Sequence, residues 1–281
     1  RLETSIFNDN TIEHLHRYAI AVDFVKAKRV LDIASGEGYG SELLSKYAKS
    51  VLGVDIDETS VINAKNKYKF RNLEFQVGQA DLIPLEDNAV DVVVSFETLE
   101  HHDKHQEMMK EIKRVLTIDG ILIISTPDKK YYTDNKNSKN QFHIKELYSQ
   151  EFKNLINEHF LNSQFYSQNI FKGSLIVPEE NGSGFKCFSG DFESINNKHE
   201  WAPPYLIAIA SDKILPSHIK ISGFDGESIL RKGQEEFINN LYQEIELAKL
   251  KTREDAVNWV RKSMPFRIGN AILSPFRIFK R

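Results

Sequence analysis

The chain has 281 residues, 41% of them hydrophobic, which suits one large α/β domain with additions better than two equal domains. A formal net charge of −3 and a pI near 6.3 exclude a global attraction to nucleic acid or to an acidic membrane surface. The single cysteine, Cys187, excludes an internal disulfide and a cysteine-built zinc site, and suits a reducing compartment.

The N-terminal segment, 1–28, reads as helical and lacks the basic-then-apolar layout of a secretion signal. No stretch approaches the ~18–20 apolar residues of a membrane span, so the expected compartment is the cytoplasm. The chain begins with Arg1, and its natural start can lie upstream. From 29 to 215, short runs rich in valine and isoleucine alternate with amphipathic segments, which predicts a doubly wound, Rossmann-like sheet covered by helices on both faces. The strands fall at Arg29 to Ile33, Val51 to Val54, Leu73 to Val77, Val90 to Ser95 and Ile121 to Ser125, with Asp119-Gly120 as a turn before the fifth.

A polar loop, 127–143, follows and is a substrate-loop candidate because it exceeds the ~12–15 residues of ordinary connections. A helix is expected from about Ile144 to Phe160. Strand-like runs near Phe165 to Val177 and Tyr205 to Ala210 complete a seven-stranded, mostly parallel sheet. They bracket a Gly/Ser/Asn-rich insertion, 178–200, that reads as a surface loop. Residues 216–281 form a charged helical extension ending in a tail, "PFRIGNAILSPFRIFKR", where cations mix with aromatic and aliphatic residues. Such a tail suits a peripheral membrane contact, for which the inner face of the membrane is the expected side, a partner protein, or docking on this domain or a second copy.

The chemistry starts at "LDIASGEGYG". A glycine turn between a strand and a helix lets backbone approach a nucleotide-like ligand, and the helix start presents unpaired N–H groups. The dinucleotide fingerprint would place Gly or Ala at position 41, which is Ser41. Asp32, at the end of the first strand, suits a cationic ligand and would repel a pyrophosphate. These two residues disfavour a nicotinamide dehydrogenase. Asp55 ends the second strand, where an acid accepts hydrogen bonds from ribose hydroxyls. Ala80-Asp81 follows the third strand, near the place of an adenine amino group; Asp81 can equally be a turn or cap residue.

The runs "VLDIASGEGYG", "VLGVDID", "GQADLIPLEDNAVDVVVSFETLEHH" and "EIKRVLTIDGILIISTP" together resemble class I S-adenosylmethionine-dependent methyltransferases. The resemblance implies that Asp32 and the backbone of Ala34, Gly36, Glu37 and Gly38 hold the methionine part of S-adenosylmethionine. It puts Asp55 on the ribose, Ile56 on the adenine face, Ala80 and Asp81 at its amino edge, and Phe96 and Glu97 beside the sulfonium. "EHLHRY" is similar to the segment that closes over the cofactor in such enzymes, which places Tyr18 at the carboxylate end. The product would be S-adenosyl-L-homocysteine.

The acceptor is constrained by what is missing. "SFET" stands where base amine methylation uses N/D-P-P-Y/F, and no Pro-Cys nucleophile is present, which excludes DNA methylation. O-methylation needs a base, and "ETLEHHDKH" supplies His101, His102 and His105 beyond the fourth strand. His101 is the first candidate. His101 and His102 can instead be packing or capping residues, with Asp103 as the cap of the next helix. His143, at the end of the long loop, is the other candidate base, or a plain helix-entry residue. Tyr131 and Tyr132 can stack on a sugar or anchor the loop. No metal is expected, since Glu97, Glu100, His101 and Asp103 match no strong metal motif.

A wider set, "IEHLHRYA", "SGEGYGSELL", "FETLEHH", "STPDKKYY", "FHIKELYSQEF" and "PYLIAIASDK", resembles bacterial methyltransferases found with cell-surface polysaccharide biosynthesis. It implies a sugar or glycan acceptor, nucleotide- or lipid-linked, and a homo-oligomer is possible. Another small hydroxylated metabolite, or a cofactor-binding scaffold without turnover, are the alternatives.

Overall fold

The computed structural model describes residues 6–137, 140–171, 188–190, 193–197, 202–216 and 221–263. Helix α1 (Asp9–Val25) starts at Asn8, whose side chain accepts from the Thr11 N–H while Thr11 Oγ1 accepts from the Asn8 N–H. Then come β1 (Arg29–Ile33), α2 (Tyr39–Ser45), β2 (Ser50–Asp55), α3 (Glu58–Lys67), β3 (Leu73–Val77), β4 (Val90–Phe96), α4 (His105–Val115) and β5 (Leu116–Pro127). After them lie α5 (Ser149–His159), β6 (Asn162–Gln168), the short β7 (Phe188–Gly190) and β8 (Ile195–Asn197), β9 (Tyr205–Ser211) and α6 (Glu227–Lys262).

The seven-stranded sheet runs β3-β2-β1-β4-β5-β9-β6. All pairings are parallel except those of β9, which is antiparallel to both β5 and β6. The chain winds outward from β1 through β2 to β3, then crosses to β4 on the other side of β1, so a crevice opens where the strand order reverses. Two apolar cores cover the two faces. Leu31, Val93, Ile124, Met108, Met109 and Phe152 pack on the α4/α5 side, and Val30, Val94, Ile123, Ala21, Leu44 and Val61 pack on the α1/α2/α3 side. Burial on both faces is why these strands read as unbroken apolar runs.

Several boundaries differ from the sequence expectation. β5 begins at Leu116 and takes in Asp119-Gly120, with its pairing to β4 jumping from Val90↔Leu116 to Val92↔Ile121, so that dipeptide lies inside an irregular strand. α5 starts only at Ser149, where Glu151 accepts from the Tyr148 N–H. β6 ends at Gln168. The insertion holds the antiparallel pair β7–β8, and Cys187 and the rest of the insertion that is masked lie outside the described residues. The long loop is partly ordered by a π-helical turn, Lys130–Asp134. Asp103 is not the cap of α4: Lys104 holds that place and makes no side-chain cap bond, and His105 Nε2 instead meets the Leu99 and His102 carbonyls at 2.8 Å each.

The first compact unit runs to Phe224, past the boundary at 215 read from sequence. Ser222 lies 2.9 Å from His16 Nε2, and the Phe224 ring 5.9 Å from the His16 ring, which ties this segment to α1. The second unit, from Asp225, contains α6, of whose residues none is buried. The basic tail lies outside the described residues. Among the described residues no helix is long and apolar enough to cross a membrane.

Candidate active site

The site is the crevice at the carboxyl edge of β1, β2, β4 and β5. Two non-glycine residues there adopt left-handed backbone, Ala34 at φ 59° after β1 and Glu97 at φ 54° after β4, a strain that clusters at functional sites. Gly38 has φ 82°, and a Cβ on it would come within 2.6 Å of the Phe75 ring. Only glycine permits this turn. A Cβ on Gly40 would stand 1.9 Å from the Tyr18 ring, so α1 docks against bare backbone of α2.

The acids beneath the turn are engaged. Asp55 accepts from the Gly36 N–H at 2.7 Å and from the Asp57 N–H at 2.9 Å, which ties the end of β2 to the glycine turn. Asp32 is 1% exposed. Ser41 Oγ donates to it at 2.6 Å and Tyr18 Oη stands 3.4 Å from both its oxygens. Burial pushes its pKa up to about 7, against the hydrogen bonds from Ser41 and Tyr18. A ligand ammonium reaches this carboxylate only if the side chains covering it shift. Tyr18 is itself buried, edge-on to Phe96 and Tyr39.

The places read for an adenosine are exposed or partly exposed. Ile56 is 68% exposed beyond β2, and Ala80 is partly buried against the core. Asp81 is bonded by Lys104 at 2.5 Å, which holds its carboxyl below the usual range. Glu97 accepts from Ser125 Oγ at 2.7 Å and lies 3.8 Å from Arg17.

Arg17 escaped the sequence reading. Its side chain is fully buried, with Nη1 donating to Gln168 at 2.8 Å and its guanidinium 4.8 Å from the Tyr205 ring centre. Its Nε and Nη2, with Ser35 Oγ, are buried and have no hydrogen-bond partner among the described residues. Glu13, Arg17, Ala21 and Val25 are spaced four apart, and all four are buried. An arginine in register with the apolar Ala21 and Val25 was the available signal. Orphaned buried donors beside a glycine cradle fit a ligand with a carboxylate.

The other side of the crevice is a histidine cluster. The turn Leu99–His101 follows β4, and the Glu100 carbonyl accepts from the N–H groups of Ile144 and Lys145, pinning the end of the long loop here. His101 Nδ1 meets the Phe142 carbonyl at 3.0 Å. His143, 9% exposed, stacks on Tyr132 at 5.4 Å and lies edge-on to His101 at 5.3 Å. Its Nδ1 is 2.5 Å from Glu146 Oε1, which also accepts from Thr133 Oγ1 at 2.8 Å. Nε2 faces Asn140 Nδ2 at 3.0 Å, and Asn140 Oδ1 accepts from the Phe142 N–H. This network puts the proton on Nδ1 and the lone pair on Nε2.

Glu100 is 1% exposed and bonded by Thr126; burial, with Glu97 nearby, drives its carboxyl well above the usual range. Donor atoms of Glu100, His101 and His143 lie within 4.8 Å of one another, a grouping without the Glu97 and Asp103 weighed from sequence. His102 is not part of it. Its Nε2 contacts Met108 Sδ at 3.2 Å, its Nδ1 is buried without a partner, and burial lowers its pKa. A cleft of about 640 Å³ is lined in part by Lys130, Tyr131, Tyr148, Lys153, Phe165 and Tyr166, and Glu100, His101 and His143 are not among its lining residues.

Residues 31–124 match the model of a methyltransferase domain. A "Probable S-adenosylmethionine-dependent methyltransferase" of Mycobacterium tuberculosis is 37% identical over 133 residues, 46% of this chain and 47% of that protein. A malonyl-[acyl-carrier protein] O-methyltransferase of Bacillus cereus is 28% identical over 142 residues, half of each chain. The matched stretch thus spans about half the length of these curated relatives. A chain from the complex between the Haloferax volcanii Trm112 methyltransferase activator and a methyltransferase shares the fold with a TM-score of 0.55 at 17% identity, over 75% of this chain and 95% of that one. Residues 31–124 are therefore similar to a methyltransferase domain, and they lie on a Rossmann-like sheet.

Proposed function

We propose that this chain is an S-adenosylmethionine-dependent O-methyltransferase acting on a sugar hydroxyl, of the sort used in bacterial surface polysaccharide (O-antigen or capsule type) assembly. The observation that carries the O-methyl reading is the buried Glu146–His143 pair, which holds an imidazole in the tautomer of a general base beside the ends of β4 and β5. The cofactor, when bound, supplies an electrophilic methyl group on a sulfonium. In this reading the backbone of Ala34 to Gly38 and the Asp32 carboxylate hold its amino-acid end. Arg17 Nε and Nη2 pair with its carboxylate, Asp55 holds the ribose, and Ile56 and Asp81 border the adenine.

An acceptor hydroxyl replaces the Asn140 amide on His143 Nε2. With the cofactor bound, Nε2 would take the hydroxyl proton and Glu146 would stabilise the resulting imidazolium, while the methyl group would pass from sulfur to the acceptor oxygen and leave the thioether of S-adenosylhomocysteine. His101, edge-on to His143, borders the acceptor. The sugar reading rests on the resemblance above. Matched relatives are named for O-methylation of other acceptors, including malonyl-[acyl-carrier protein]. The same base would serve another small hydroxylated metabolite.

The test is release of S-adenosylhomocysteine from the purified chain offered nucleotide sugars, lipid-linked and free glycans, and small alcohols and phenols. Methylation of a sugar hydroxyl, lost in His143→Ala with cofactor binding kept, is expected. Turnover of non-sugar alcohols alone would remove the sugar assignment. Cofactor binding with no turnover of any acceptor would leave a scaffold.

A further inference from the structure

We infer that α6 is a homodimerisation helix that pairs antiparallel with α6 of a second copy. The helix runs 36 residues, about 54 Å at ~1.5 Å per residue, and none of its residues is buried. Ile238, Leu241, Ile245, Ala248 and Thr252 recur at the alternating three- and four-residue spacing of a coiled-coil seam, which Asp255 interrupts before Trp259 resumes it. Leu241 and Ile245 are 46% and 41% exposed, and Trp259 is 73% exposed. Phe237 and Tyr242 widen that stripe. A stripe of this length bared to water marks an interaction face.

The charges select the occupant. From Glu227 to Ala248 the helix carries five glutamates, Glu227, Glu235, Glu236, Glu244 and Glu246, against Arg231 and Lys232. From Lys249 to Lys262 it carries five cations, Lys249, Lys251, Arg253, Arg261 and Lys262, against Glu254 and Asp255. The halves are thus net −3 and net +3. Helix-dipole compensation acts only within the first and last turns, so it accounts for Glu227, Arg261 and Lys262 but not for the charges toward the middle. Two copies side by side in the same direction set like halves together. Reversed, each acidic half meets a basic half, and the stripe is closed by the same stripe under two-fold symmetry. The complement to this surface is therefore the surface itself.

The test is the mass of the full chain by light scattering at about 20 μM, in low salt and in ~1 M salt. A mass twice the 32.4 kDa of one chain is expected, falling to one chain in Leu241→Glu/Ile245→Glu. Two charge variants sharpen this: Lys249→Glu/Lys251→Glu/Arg253→Glu and Glu235→Lys/Glu236→Lys/Glu244→Lys should each dissociate at least tenfold more readily. Mixed together, they should form a heterodimer. Orientation is read in a Cys187→Ser background, where Ile245→Cys, on the seam near the helix centre, should oxidise to a linked dimer and Ile238→Cys, on the seam away from the centre, should not. A monomer at 20 μM, or an oligomer that survives the Leu241/Ile245 variant, overturns the proposal. So does linking through Ile238→Cys, which would mean parallel helices.

Discussion

On the β1–β2 side of the crevice, the contacts that shape the turn join near neighbours in sequence. Tyr18 meets Asp32 across 14 residues, and the Gly36 N–H meets Asp55 across 19. On the β4–β5 side, His101 meets the Phe142 carbonyl across 41 residues, and His143 reaches the cluster because the Glu100 carbonyl captures the N–H groups of Ile144 and Lys145. The first half is a local strand–turn–helix whose geometry glycine and short-range hydrogen bonds dictate. The second is assembled by a loop closing on a turn. If this contrast is functional, the first half sets cofactor affinity and the second sets turnover, and variants on one side should leave the other's quantity alone.

The largest separation is expected from His143→Ala. Removing the base should lower kcat by roughly 10²–10⁴, while calorimetric affinity for S-adenosylhomocysteine stays within about twofold. A parallel fall in affinity would show that the two halves act as one. Asp55→Ala should do the reverse. Losing the carboxylate that accepts from Gly36 and Asp57 should weaken cofactor binding about 100-fold, as expected for two charge-assisted bonds.

That contrast also explains what could be read from the sequence. Asp32, Gly36, Gly38 and Asp55 lie in or beside contiguous motifs whose spacing is the geometry, so their grouping was legible. The strands were legible because a doubly covered parallel sheet writes itself as apolar runs. Glu146 was not, because a glutamate three residues after His143 at a loop end looks solvated until the loop is folded onto Glu100. His102 looked equivalent to His101, but the turn Leu99–His101 sends the two neighbours to different sides, one toward Phe142 and one toward Met108. Arg17 was overlooked because arginines on amphipathic helices usually belong to the wet face.

Arg17→Met sharpens the comparison from the cofactor side. If its orphaned donors meet the cofactor carboxylate, S-adenosylhomocysteine should bind roughly 10–100-fold more weakly, as for loss of a charged hydrogen-bonded pair. 5′-Methylthioadenosine, which lacks the carboxylate, should bind as before. Equal loss for both ligands would make Arg17 a structural residue. Glu146→Gln should cost less than loss of the imidazole, about tenfold, the usual scale for a residue that orients a functional histidine. It should appear in kcat with KM unchanged, and an equal change in KM would point to a collapsed loop.

The remaining effect concerns protons. Asp32 is raised from 3.8 to about 7, so the folded chain holds a proton that the unfolded chain has released, and stability falls as pH rises between those values. The penalty amounts to roughly 4 kcal/mol above pH 7 at ~1.4 kcal/mol per decade, and Asp32→Asn should flatten this slope. A ligand ammonium beside Asp32 favours its ionised form and pulls the pKa back down. Binding S-adenosylhomocysteine at pH 6 should therefore release up to about one proton, seen as binding heats that vary with the ionisation enthalpy of the buffer. At pH 8.5, where the carboxylate is already ionised, the release should nearly vanish, and Asp32→Asn should show none at either pH. Buffer-independent heats at pH 6 in the parent chain would mean that the ammonium sits away from Asp32, leaving that acid as a buried brace between Ser41 and Tyr18 and the glycine turn as the whole of the amino-acid site.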